Sequence, residues 1–194
     1  HNQSRRQRQM CIRDSYLGDA GQLALSGDGT IVAVSSKYDN SGTGYVKVYE
    51  YSGDSWNQMG SNITGSSKYV YPAAVGLSED GLTVAVGESA IDAVRIFTYA
   101  NSSWSQKGST IYGETSGDNF GIDLDLSSDG ETVVIASPSS DHEGSPGSFG
   151  LFRYINSNWS QVGSTIYGES YDGGGVRNRV AITEDGKYIA HNLY

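Results

Sequence analysis

Short apolar runs alternate with turn sequences along the chain, and the pattern returns about every fifty residues. A run with apolar residues at alternate positions leads to Asp-Gly and then to a nearly continuous apolar run, as in "LSEDGLTVAV" from Leu77. Asp-Gly favours a tight hairpin because glycine adopts positive φ at little cost. The turn glycines, 52, 49 and 56 residues apart, are Gly29, Gly81, Gly130 and Gly186.

A second signal, Trp-x-Gln-x-Gly, follows each of the first three turns. It contains all three tryptophans of the chain, Trp56, Trp104 and Trp159. One interpretation is that each indole packs an outer strand, and the other is that it forms a platform for a carbohydrate. Each copy predicts four antiparallel strands, of which the second is buried on both faces.

Four antiparallel strands at this period are typical of a β-propeller blade. We therefore predict an all-β, partial propeller with three full repeats and the start of a fourth. The predicted blades span residues 16–67, 68–116, 117–171 and 172–194. Because a propeller closes with four to eight blades, we expect a fragment whose partners include the remaining blades of its own longer chain.

The third copy, "GDNFGIDLDLSSDGETVVIASP", has Phe120-Gly121 before its first strand and Ala136-Ser137-Pro138 after its second. It resembles the FG-GAP type of propeller repeat, and the likeness covers residues 16–194, although the other copies lack the Phe-Gly. Many FG-GAP repeats of integrins bind calcium through a D-x-D-x-D-G loop. The loops "DNSGTG" from Asp39 and "SDHEGSPG" from Ser140 have too few carboxylates for that ligand set. We expect no cofactor, with a structural calcium ion in such a loop as the alternative.

Two aspartates form the candidate ligand-binding site. Asp123 and Asp125 lie on one face of the first strand of the third copy, "DLDL". We expect this innermost strand to line the central channel and the two carboxylates to bind a cation or a basic group there. The alternative is that they are hydrated channel residues without a ligand. No metal-ligating set and no catalytic residues are predicted.

Charge narrows the range of partners. The net charge is −9, but four arginines and one aspartate give residues 1–15 a charge of +3, which leaves −12 for residues 16–194. So acidic a body repels nucleic acid. No apolar stretch approaches the roughly 20 residues that a membrane helix needs, so we expect no membrane insertion. We expect an extracellular or cell-surface location.

The basic start of the chain, "RRQRQMCIRDS" from Arg5, matches nothing in the repeats. It resembles the translation of a sequencing adapter used in transposase-based libraries, as expected for a metagenomic read. We therefore expect residues 1–15 to be non-native or disordered.

Two classes of function remain. The first is a non-enzymatic, secreted or cell-surface module that binds a protein or a glycan in adhesion. The second is the propeller part of an extracellular hydrolase or lyase whose catalytic residues lie elsewhere. The unequal loops between the second and third strands favour the first class.

Overall fold

Each sequence copy folds into its own antiparallel sheet. The computed structural model describes residues 22–36, 43–138, 147–168 and 179–192. We number the sheets blades 1 to 4 in chain order. Blades 1 to 3 contain four strands and a short fifth one, and blade 4 is described as one strand pair. The prediction of an all-β, partial propeller is confirmed.

The strands follow the same order in every blade. Blade 1 contains β1 (Leu23–Leu25), β2 (Ile31–Ser36), β3 (Tyr45–Ser52), β4 (Ser55–Gln58) and β5 (Ile63–Thr64). Blade 2 contains β6 (Ala74–Leu77), β7 (Thr83–Glu88), β8 (Ala93–Ala100), β9 (Ser103–Gln106) and β10 (Ile111–Tyr112), with a 3₁₀ turn at Ser89–Ile91. Blade 3 contains β11 (Asp123–Leu126), β12 (Thr132–Ser137), β13 (Ser148–Ile155), β14 (Asn158–Gln161) and β15 (Ile166–Tyr167). Blade 4 contains β16 (Arg179–Ile182) and β17 (Ile189–Asn192).

The first hairpin turn of each blade has the sequence Ser-x-Asp-Gly, with Thr183 in place of the serine in blade 4. In blade 2, Ser78 Oγ and the Leu82 amide both donate to Asp80 Oδ1, at 2.6 and 2.9 Å. The Thr83 amide then donates to Ser78 Oγ at 2.9 Å, and Gly81 adopts φ +73. A hydroxyl, an aspartate and a glycine therefore each have a role in the turn, which explains why the sequence recurs. In blade 4 the hydroxyl of Thr183 donates to Asp185 Oδ1 at 2.7 Å and accepts the Tyr188 amide at 3.1 Å.

The same turns also join neighbouring blades. In each case the backbone amide of the residue after the turn's serine donates to a carbonyl of the next blade. The amide of Gly27 donates to the carbonyl of Glu79, that of Glu79 to Ser128, and that of Ser128 to Glu184, at 2.9, 3.0 and 2.9 Å. These backbone bonds run from one blade to the next and fix the spacing of the blades at the turn end of the innermost strands.

A short fifth strand completes the outer edge of each full blade, where the sequence pattern predicted only a connection. In blade 1, β4 pairs with the second half of β3, from Tyr49 onward. The first half of β3 pairs with β5, with Tyr45 opposite Thr64 and Val46 opposite Ile63. The pairing buries Ile63, so the connection is part of the sheet.

The apolar core lies between the blades. Val84 and Val86 of β7 pack toward blade 1, Ala85 packs toward blade 3, and none of the three is exposed to solvent. A third apolar layer, which includes Phe149 and Val180, joins blades 3 and 4. The nearly continuous apolar second strands of blades 1 to 3 are therefore buried on both faces, as predicted.

Tryptophan joins blade 2 to blade 1 and blade 3 to blade 2. Trp104 Nε1 donates to the carbonyl of Met59, and Trp159 Nε1 donates to that of Lys107, both at 2.7 Å. These contacts favour the packing interpretation of the tryptophans. The equivalent Nε1 of Trp56 is buried without a hydrogen-bond partner in the described structure.

We expect Trp104→Phe to lower the free energy of unfolding by about 1 kcal/mol, because a hydrogen bond between blades is lost. Trp56→Phe is the matched control, since it removes a buried donor that has no acceptor, and we expect it to be neutral or slightly stabilising. Urea unfolding measures both variants. Equal losses for the two would contradict the role given to the indole bond.

A second pair of variants tests the contact between the turn of one blade and the second strand of the previous blade. Gly29 and Gly81 both have positive φ, but a Cβ at Gly81 would lie 2.5 Å from Ile31 Cδ1, whereas nothing lies within 4 Å at Gly29. We expect Gly29→Ala to cost about 1–2 kcal/mol from the backbone alone. Gly81→Ala should cost a further ~1–3 kcal/mol from overpacking, as measured by urea unfolding. Equal costs would show that the two turns are packed alike.

Candidate functional site

Asp123 and Asp125 extend from β11 toward the innermost strand of blade 4. Asp123 Oδ2 accepts the amide of Val180, and Asp125 Oδ2 accepts that of Ile182, both at 2.9 Å. The other oxygen of Asp125 accepts the amide of Leu126 at 2.9 Å. These carboxylates satisfy backbone donors of β16, which the ladder within blade 4 leaves unpaired on this side.

This orientation differs from the expected one, in which both side chains face an open channel. The innermost strand of blade 3 lies between those of blades 2 and 4. Because side chains alternate between the two faces of a strand, Asp123 and Asp125 both lie on the face that contacts blade 4. Burial raises the pKa of Asp123 and of Asp125, against the opposing effect of their backbone hydrogen bonds. Arg179 Nη1 lies 3.7 Å from Asp123 Oδ1. Ligand binding by the two aspartates stays a prediction.

A small cleft that the sequence analysis missed lies between blades 2 and 3; it is open to solvent and has a cavity volume of about 30 Å³. One wall comes from the end of blade 2 and the segment leading to blade 3, and the other from blade 3 itself. The main lining residues are Tyr112, Glu114, Asp118, Phe120, Gly150 and Phe152.

The walls of the cleft combine carboxylates with aromatic rings. Glu114 accepts hydrogen bonds from the hydroxyls of Thr165 and Tyr167, and the bond from Tyr167, at 2.7 Å, raises the pKa of that phenol. Asp118 is buried. Phe120 and Phe152 meet edge to face, with ring centroids 5.9 Å apart.

The equivalent place between blades 1 and 2 contains a largely buried ion pair, and a pocket of about 230 Å³ opens beside it, lined by Thr64, Arg95, Phe97 and Trp104. Arg95 Nη2 lies 2.6 Å from Oε1 of Glu88, whose side chain is fully buried. Arg95 Nη2 also donates to the carbonyl of Thr64 at 2.7 Å, and Glu88 Oε1 accepts the amide of Ser66 at 2.8 Å. The pair therefore crosses from blade 2 to the outer edge of blade 1.

Strand register shows what replaces this pair in blade 3. Glu88 ends β7 as Ser137 ends β12, and Arg95 has the position in β8 that Gly150 has in β13. Two small residues thus stand where blade 2 has an ion pair, and the cleft is the space that results. An alignment of the sequence copies on their second and third strands is the signal that would have revealed it.

Among the described residues, no group of three or more His, Cys, Asp or Glu side chains is arranged to hold a metal ion. Asp39 and residues 140–146 of the loops considered for calcium lie outside the described residues, as do residues 1–15. Within the same described ranges, no helix has the length and apolarity needed to cross a membrane.

Several solved structures share the fold. The chain superposes on a hydrazine synthase from Kuenenia stuttgartiensis with a TM-score of 0.58 and 16% identity, covering 93% of this chain and 43% of that one. A 6-phosphogluconolactonase candidate from Bacteroides uniformis gives a TM-score of 0.56 and 15% identity over 88% and 63% of the two chains. TolB from Acinetobacter baumannii gives 0.51 and 16% over 88% and 36%.

These likenesses establish the fold and leave the activity open. The matched structures are propeller-like, and the chain spans less than two thirds of each of them. No protein-family model matches the sequence, and the search of curated proteins returns no match. The resemblance to FG-GAP repeats therefore stays a prediction.

The raised pKa values of Asp123 and Asp125 predict a pH dependence at the contact between blades 3 and 4. Both folded-state values lie above the ordinary 3.8, so the folded chain binds these protons more tightly than the unfolded chain does. Their contribution to stability is greatest below pH 3.8 and is lost as the pH rises through the folded pKa. Relative to Asp125→Asn, the wild type should gain stability as the pH falls from 7 to 4.

Urea unfolding of both chains across this pH range measures the difference between them, which cancels the titration of the other carboxyls. A difference that does not change with pH would contradict the prediction.

Proposed function

We propose that the chain is a non-enzymatic binding module of a secreted or cell-surface protein and that it takes its ligand in the cleft between blades 2 and 3. The observation that supports this proposal is the replacement of the Glu88–Arg95 pair by Ser137 and Gly150. The replacement leaves a small solvent-connected cleft at the place where the junction of blades 1 and 2 contains the ion pair.

The composition of the cleft supports binding. Ligand sites combine apolar and aromatic walls with a few polar groups, and Phe120 and Phe152 stand here beside Glu114 and Asp118. Phe120 and Asp118 are buried, so these parts of the wall are held by packing. A preformed wall reduces the entropy lost when a ligand binds.

The rest of the molecule is consistent with an extracellular role. The net charge of −9 disfavours nucleic acid as a partner. The resemblance to FG-GAP repeats points to an array of blades at a cell surface. A protein or a carbohydrate is the expected class of ligand, and the remaining blades of a longer chain are expected to be further partners.

A binding screen tests the proposal. We would titrate the ¹⁵N-labelled chain with a panel of neutral and charged oligosaccharides and short peptides, and follow the amide signals of Gly150 and Phe152. At least one ligand should shift these signals and remain chemically unchanged. Gly150→Leu should weaken its binding by about tenfold or more, equivalent to ~1.4 kcal/mol, because the new side chain fills the cleft.

Ser55→Leu, which adds the same side chain to an exposed position of blade 1, is the matched control and should bind as the wild type does. Shifts confined to other regions, or binding that Gly150→Leu leaves unchanged, would overturn the proposal. Turnover of a panel ligand by the chain would contradict the non-enzymatic role.

A further inference from the structure

The pocket between blades 1 and 2 is separate from the cleft that the proposed function concerns. Its volume of about 230 Å³ exceeds the roughly 150 Å³ of an engineered cavity that holds a benzene ring, so a six-membered ring has room in it. Phe97 and Trp104 of blade 2 form one part of its lining, and residues 61–64 of blade 1 form another. We infer that this pocket binds an uncharged sugar ring, a pyranose, with Trp104 as the stacking surface.

Trp104 is more exposed than its counterpart at the next junction. Trp104 and Trp159 have the same register and the same indole bond to the previous blade. Trp159 is 8% exposed, and Lys107 Nζ lies 5.9 Å from its ring centroid, whereas Trp104 is only partly buried and lines the pocket. Because the face of an aromatic ring carries partial negative charge, the C–H groups on one face of a pyranose pack well against it.

One difference between the sequence copies leaves a backbone donor open at this junction. Asn158 Oδ1 accepts the amide of Ser109 at 2.9 Å, so a side chain of blade 3 reaches across to blade 2. Ser103 has the position in β9 that Asn158 has in β14, and Ser61 corresponds to Ser109. The Ser103 hydroxyl donates instead to the carbonyl of Ala100 at 3.2 Å, and the Ser61 amide has no acceptor among the described residues. That amide is therefore available to a ligand.

The polar part of the lining offers further hydrogen-bond donors. Arg95 donates from Nε and Nη2 to Glu88 and from Nη2 to the carbonyl of Thr64. Its Nη1 has no acceptor in the described part of the chain, and 14% of the side chain is exposed. Asn62 Oδ1 accepts from Gln58 Nε2 at 3.0 Å, which leaves the nitrogen of the same side-chain amide as a donor. The hydroxyl oxygens of a sugar accept such bonds.

The charges around the pocket favour a neutral ligand. Arg95 is the charged residue of the lining, and the buried Glu88 carboxylate balances it. A cation would meet the Arg95 guanidinium, and an anion would approach a chain with a net charge of −9. A ligand that combines an apolar face with uncharged hydroxyl groups avoids both costs and matches the aromatic and donor parts of the lining. A pyranose has this combination.

Titration of the ¹⁵N-labelled full chain with small glycosides tests the inference. The probes are the methyl pyranosides of glucose, galactose, mannose and N-acetylglucosamine, with erythritol as the open-chain control and methyl glucuronide as the charged control. At least one neutral pyranoside should shift the signals of the Ser61 amide and of Trp104 Nε1. Its dissociation constant should be at least about tenfold below that of either control. Added salt should leave the affinity unchanged, because the ligand is uncharged.

Two matched variants assign the effect to the pocket. Ser103→Asn gives blade 2 the residue of blade 3, so its side chain can accept the Ser61 amide and close the pocket. We expect binding to weaken by about tenfold or more, while the melting temperature shows that the chain is folded. Ser55→Asn adds the same side chain at the equivalent position of blade 1, outside the lining of the pocket, and should bind as the wild type does.

The outcomes separate this inference from the proposed function. Shifts at Ser61 and Trp104 without shifts at Gly150 and Phe152 would support the sugar pocket and overturn the proposed cleft. A control that binds as tightly as the best neutral pyranoside would overturn the inference, because the ring or its neutrality would not matter. The inference is also overturned if no pyranoside shifts the Ser61 and Trp104 signals, or if binding persists unchanged in folded Ser103→Asn.

Discussion

Burial of each blade against its neighbours is the constraint on which the rest of this structure depends. A four-stranded sheet has two apolar faces and cannot cover both by itself. In β7, Val84 and Ala85 point to opposite sides, and both are fully buried because blades 1 and 3 supply the covering surfaces. The indole bond of Trp104 and the backbone bonds between turns stabilise this stacking at the outer and inner ends of the blade.

Such a stack allows the chemistry of one junction to change while the architecture stays the same. The apolar layers between blades 1 and 2 and between blades 2 and 3 both consist of buried side chains, yet one junction contains Glu88 with Arg95 and the other contains Ser137 with Gly150. These positions lie beside the apolar layer, where β7 and β8 in blade 2, or β12 and β13 in blade 3, meet the short fifth strand of the previous blade. A substitution there creates a cleft without disturbing the core, and that is the physical basis of the proposed binding site.

The architecture could be predicted from the sequence because its signals are local: the Ser-x-Asp-Gly turn, the alternating and continuous apolar runs, and the spacing of the tryptophans. Features that depend on neighbouring blades could not. The strand that contains Ile63 is two residues long, which is too short for an alternating pattern, so its pairing with β3 could not be predicted. The alternation in the third copy did not show that Asp125 accepts the amide of Ile182. The cleft lies where blade 3 has two small residues in place of the larger ones of blade 2. Only an alignment of the sequence copies, which places Gly150 at the position of Arg95, would reveal it.

Amide hydrogen exchange at the Asp-Gly turns of the first hairpins tests the stacking of blades most directly. The amides of Glu79 and Ser128 would be free in an isolated hairpin, and here each donates to a carbonyl of the following blade. The account predicts strong protection of these two amides and fast exchange at Glu184, whose amide has no such acceptor within the described residues. Fast exchange at all three turns would contradict it, because the blades would then not be joined as the structure shows.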